Sequence, residues 1–110
     1  MILALVGCLS YRFPEQDSPC IEVGLSIARR TYECTGDDAL ADERFHAFEQ
    51  QVECRNTDAV LREHPGIGAA DLYECSFAVG EVACEWVEAW GDDIPSWLAA
   101  SDRCTWVVAP

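Results

Sequence analysis

Lysine is absent from the chain, as are a CxxC pair, an internal repeat, a low-complexity tract and any run of about 20 apolar residues. Each absence removes a class of protein. All seven basic residues are arginines against 20 acidic ones, a formal charge of -13, so a phosphate backbone would be repelled and a nucleic-acid partner is excluded. The missing lysine itself reads as the compositional habit of a GC-rich genome. Without repeats a solenoid is excluded, and without a long apolar run the sequence offers no helix long enough to span a bilayer. Without a CxxC pair, and with neither His46 nor His64 at ligand spacing from two cysteines, a zinc site of the common kinds is unsupported.

What is present is cysteine, at unusual density for 110 residues. Cys8, Cys20, Cys34, Cys54, Cys75, Cys84 and Cys104 run almost from end to end of the chain. Dispersed cysteines in one small domain read as a disulfide framework, which forms in an oxidising compartment. Half of the residues are hydrophobic, enough for a single modest core in spite of the charge. An odd cysteine count leaves one sulfur without a partner, and the N-terminus suggests its use.

Residues Met1 to Cys8 form an apolar run that ends in glycine and cysteine. Leu5-Val6-Gly7-Cys8 resembles the lipobox of bacterial lipoprotein signals: aliphatic, small or aliphatic, Gly or Ala, then Cys. The resemblance covers eight residues and implies cleavage before Cys8, a thioether-linked diacylglycerol on its sulfur and acylation of the new N-terminus. Residues 1–7 are then a signal peptide, 8–17 a lipidated cysteine and tether, and 18–110 the domain. The apolar stretch is short and no basic residue precedes it, so translation is expected to begin upstream of Met1. Leu9, rather than an aspartate, follows Cys8, which resembles the pattern of lipoproteins that leave the inner membrane. Lipidation of Cys8 leaves six cysteines for pairing, and a multi-chain anchor holds where a single acyl chain would not.

Within the domain, Ser18-Pro19 marks the start of a first helix and Gly36 its stop, giving about residues 19–34. Ile21, Leu25, Ala28 and Tyr32 share one of its faces and are expected to turn inward. A second helix runs from Asp37-Asp38, whose acids suit a helix N-terminus, to about Cys54, with Ala41, Phe45, Phe48 and Val52 inward. Thr57 is expected to cap a short turn ending at Pro65-Gly66. A third helix, about 69–90 with Gly91 as its stop, reads as the central one. It carries Asp71, Glu74, Glu81, Glu85 and Glu88 within roughly a quarter turn and apolar residues on both flanks of that stripe. A short helix near 95–102 completes the count.

The predicted fold is therefore all-α, a small antiparallel bundle of about four helices stapled by three disulfides. Cys20 and Cys34 lie at opposite ends of one helix, roughly 21 Å apart, and cannot bond each other. Folding helix 1 on helix 2 at Gly36 brings Cys20 level with Cys54. Helix 3 returning along helix 2 brings Cys84 toward Cys34, which leaves Cys75 for Cys104. This is one of the fifteen pairings that six cysteines allow, and the one that antiparallel packing favours.

For function, no cysteine stands in a nucleophile signature, His46 and His64 read as surface or cap residues, and Asp92-Asp93 lies in no EF-hand-like loop. No enzyme activity, cofactor or metal is expected. Between Arg62 and Arg103 nine acids and three tryptophans (Trp86, Trp90, Trp97) occur without an arginine. The acidic stripe Asp71, Glu74, Glu81, Glu85 and Glu88 is the candidate interaction surface, suited to a basic protein or a cation, its alternative being a merely solvated helix face. The reading is a non-enzymatic binding or structural lipoprotein of the bacterial cell envelope, a membrane partner through its lipid. The alternatives are a small secreted inhibitor or toxin-like disulfide protein and a cytosolic thiol or zinc protein.

Overall fold

A computed structural model describes residues 18–64 and 66–109, and the signal peptide, Cys8 and the tether expected at 8–17 lie outside the described residues. The described chain is all-helical: α1 (Pro19–Thr35), α2 (Asp38–Gln51), α3 (Cys54–Arg62), α4 (Ile67–Val79), α5 (Cys84–Trp90), α6 (Ile94–Leu98) and a 3-10 turn at Asp102–Trp106.

Helix α1 begins where a capping residue and a proline coincide. The Ser18 hydroxyl accepts the Ile21 N–H, Pro19 occupies the first turn, and Gly36 ends the helix at φ 69°, donating its N–H to the Tyr32 carbonyl. Asp37 then caps α2 through the Leu40 N–H. The tight turn at Gly36 sets α1 and α2 antiparallel.

The buried face of α1 differs from the expected one. Cys20, Val23, Ile27 and Thr31 are fully buried, whereas Leu25 and Tyr32 are 38% and 48% exposed. The inward face is the one that small residues allow two neighbours to approach. On one side Gly24 lies under the Phe48 ring of α2, where a Cβ would come within 2.5 Å of a ring carbon. On the other, the Ser26 and Ser76 hydroxyls of α1 and α4 share a hydrogen bond. An apolar count passes over glycine, serine, threonine and cysteine, so it selected the wrong stripe and made residues 69–90 central. The central helix is α1.

On α2, Phe48 and Ala47 turn inward together with Arg44, while Ala41 and Phe45 are half-buried. The helix stops at Gln51 rather than at Cys54, because Val52 and Glu53 are extended. The expected short turn after it is instead helix α3. Glu53 caps that helix, and Thr57 is buried inside it, accepting the Val108 N–H on its hydroxyl. Glu53 in turn donates its N–H to the Val108 carbonyl, so the C-terminal segment is fastened across the start of α3.

The expected third helix is two, with a turn at residues 80–83 between α4 and α5. Gly80 closes α4 on the Ser76 carbonyl, Ala83 is extended, and the Val82 carbonyl between them accepts a hydrogen bond from Arg30 Nε of α1. Both halves keep helical periodicity, and glycine is tolerated inside a helix, so the break has no sequence signature. The last expected helix is also shorter: α6 ends at Leu98, and the 3-10 turn follows to carry Cys104.

The three disulfides are Cys20–Cys54, Cys34–Cys84 and Cys75–Cys104, the pairs named by the antiparallel-packing argument. They close sequence separations of 34, 50 and 29 residues. Around them Phe48, Ile27, Leu72, Val23, Ile94 and Trp97 form one continuous core.

Candidate functional site

The break between α4 and α5 divides the acidic stripe. Asp71 and Glu74 stay on α4, Glu81 falls in the turn, and Glu85 and Glu88 lie exposed on α5. The first two are already engaged. Asp71 accepts hydrogen bonds from Trp106 Nε1 and from Arg103 Nη1, each at 2.8 Å, and Arg103 Nε reaches Glu74 at 3.1 Å. The Trp106 N–H, aided by the Arg103 guanidinium, holds the Asp71 carboxyl below its ordinary range. The stripe acids with no described arginine within hydrogen-bonding range are therefore Glu81, Glu85 and Glu88.

Helix α5 carries Trp86 outward, with Trp90 and Trp97 packed behind it. Trp97 is buried and donates its indole N–H to the Gly91 carbonyl, Trp90 packs edge-on against it at 5.5 Å, and Trp86 stacks on Trp90 at 5.7 Å, half exposed. Of the three tryptophans in the arginine-free stretch, Trp97 lies in the core and Trp86 is exposed. An exposed aromatic face on a strongly acidic domain has the two elements that hold cationic side chains, a ring quadrupole and a negative field.

Two further surface features flank this region. Between α1 and α4 a groove of about 340 Å³ is lined by Glu22, Arg29, Tyr73, Phe77 and Glu81, with Phe77 71% exposed. A more apolar groove of about 510 Å³ lies between the end of α2, α6 and the C-terminal segment, lined by Val52, Ile94, Pro95, Leu98, Thr105 and Val107. Tyr73 and Phe77 belong to the apolar flanks of the helix expected to be central. They are open because α1, not α4, lies at the centre.

Two buried or half-buried junctions frame these surfaces. Arg44 donates from Nε to Asp92 at 2.9 Å and from Nη1 to Thr31 Oγ1 and the Val87 carbonyl, tying α2 to α1, α5 and the loop after α5. Gln51 clamps the same loop, donating to the Asp92 carbonyl and accepting the Ile94 N–H. Glu43 lies beside Asp92, whose carboxylate raises the Glu43 pKa through a shared hydrogen bond and charge repulsion. Sequence reasoning missed Arg44, since an arginine directly after two acids, Asp42 and Glu43, on a helix reads as solvated. It also missed Arg103, although its position as the first arginine after the long arginine-free stretch was a usable signal.

The two histidines are apart from one another. His46 is exposed and 3.3 Å from Glu49, and His64 packs its ring on Trp106 at 4.8 Å. Among the described residues no group of three or more His, Cys, Asp or Glu side chains converges as a metal site, and no helix is long and apolar enough to cross a membrane. Comparison with protein families, curated proteins and solved structures gives no match.

Proposed function

We propose that this chain is a lipid-anchored, non-enzymatic binding or structural module of a bacterial cell envelope, tethered through Cys8 and presenting α5 to cationic or basic partners. What is established is coarser: a small helical domain rich in disulfides, as exported proteins are. The three disulfides are the observation that carries the location, because such pairs persist in oxidising, extracytoplasmic compartments and are reduced in a cytosol. With all six domain cysteines paired, the cytosolic thiol reading loses its support. The lipobox residues Leu5-Val6-Gly7-Cys8 carry the anchor, and the even set of six that remains after Cys8 is consistent with it. The exposed Trp86 with Glu81, Glu85 and Glu88 supports the partner class.

The test is the intact mass of the protein from native membranes, with and without reduction and thiol alkylation. The expected product starts at Cys8, carries acyl mass and gains six alkyl groups only after reduction. A released chain without acyl mass but with the same six protected cysteines would replace the anchor by secretion. A full-length chain with freely alkylated cysteines would overturn the proposal.

A further inference from the structure

The three disulfides differ in their exposure. Cys75 and Cys104 are both buried, and Cys20 is fully buried with its partner Cys54 half-buried on α3. In the third pair neither sulfur-bearing residue is buried: Cys34 is half-buried near the end of α1, and Cys84 is exposed at the start of α5. The segment that Cys84 anchors is also fastened independently. Val87 is fully buried, its carbonyl accepts from Arg44, the Val82 carbonyl accepts from Arg30, and Trp90 rests on Trp97.

We propose that Cys34–Cys84 is a thiol-exchange site, opened by an external dithiol while the two other disulfides keep the domain folded. Exchange requires a thiolate to approach one sulfur along the S–S axis, so access decides which bond reacts first. Cys84 is the more exposed residue of the pair, so its sulfur is the expected point of attack. A thiolate of the dithiol attacks Cys84 Sγ, the Sγ–Sγ bond breaks, and Cys34 leaves as a thiolate that takes up a proton. The second thiol of the reductant then attacks the mixed disulfide, releasing Cys84 as its thiol. Two electrons and two protons pass to the protein, and the dithiol departs as its own disulfide. The product retains Cys20–Cys54, which holds α1 to α3, and Cys75–Cys104, which holds α4 to the 3-10 turn. What it loses is the one disulfide on α5, the helix that carries Trp86, Glu85 and Glu88. The inference rests on the disulfide framework and is independent of the lipid on Cys8.

The experiment treats the oxidised full-length protein with increasing dithiothreitol, quenches with an alkylating agent and maps the labels by peptide mass. Beyond any label that Cys8 takes before reduction, the first species is expected to gain two labels, on Cys34 and Cys84, before Cys20, Cys54, Cys75 and Cys104 label measurably. It should keep its helical circular dichroism and a cooperative melt while Trp86 fluorescence shifts. With glutathione in place of the dithiol, the mixed disulfide should sit on Cys84 and leave Cys34 free for alkylation. Labelling of either other pair first, or of all six cysteines together, would overturn the proposal, as would adduct formation at Cys34. As a second measurement, the double variant Cys34→Ser/Cys84→Ser should fold and resist the same dithiothreitol dose. Its failure to melt cooperatively would equally count against the site.

Discussion

Two arginine–aspartate pairs with similar geometry hold two different corners of this molecule. Arg44 meets Asp92 at 2.9 Å and Arg103 meets Asp71 at 2.8 Å. The Arg44 side chain is 8% exposed and also serves Thr31 and Val87, whereas that of Arg103 is 52% exposed and shares its charge with Glu74. Distance alone would rank them equal. Burial separates them, because a guanidinium withdrawn from water depends on every partner it has, while an exposed one exchanges its partners for solvent at little cost.

The largest expected effect removes both corners at once. Full reduction of the three disulfides should unfold the domain, since each closed loop contributes about 3.5 to 4 kcal/mol in the loop-closure account, against a net stability of roughly 5 to 15 kcal/mol for domains of this kind. Circular dichroism before and after reduction under denaturing conditions and refolding would show it, and a reduced form that melts as late as the oxidised one would contradict it. Next, Arg44→Met keeps the volume of the side chain and removes its bonds. It should cost about 2 to 3 kcal/mol in urea unfolding, and the part of the loss due to the buried bonds to Thr31 and the Val87 carbonyl should persist in high salt, while the part due to the half-exposed Asp92 is screened.

Arg103→Met should lower stability several-fold less than Arg44→Met, and 1 M salt should erase the difference from the parent. Its pH dependence sharpens the contrast. The pKa of Asp71 is depressed in the folded state, so its contribution is present above the unfolded value, about 4, and is lost as pH falls through the folded value. The gap between parent and variant urea midpoints should therefore close as pH is taken from 6 to below 3, and a gap that widens there would refute the assignment. The smallest effect carries the opposite sign. Glu43 has its pKa raised by Asp92, so its ionisation weakens the native state as pH rises through the unfolded value. Glu43→Gln should be slightly more stable than the parent at pH 7 and indistinguishable from it at pH 3.

Much of the helical frame was legible. Ser18, Pro19, Gly36, Asp37 and Gly91 act at short range through backbone caps, and each stands where its residue type suggested. The acidic surface was legible only in composition. Asp71 and Glu74 are held by Arg103, a residue about 30 positions away, and no local pattern contains that partnership. Tyr73 and Phe77 illustrate the same limit, since an apolar residue on a helix is inward or outward only in relation to what packs beside it.

By itself the sequence determined the all-helical class, the first two helix starts, the acid excess and, through helix length and direction, which cysteines could not meet. Those follow from interactions within a few residues or from geometry that any straight helix obeys. Only the tertiary structure decided that α1 is central, that the chain breaks at residues 80–83 and that Arg44 is buried. In each case two segments far apart in sequence approach closely: Phe48 over Gly24, Arg30 on the Val82 carbonyl, Arg44 on Asp92. Close packing between small side chains fixes such approaches, and a periodicity count assigns small side chains no weight.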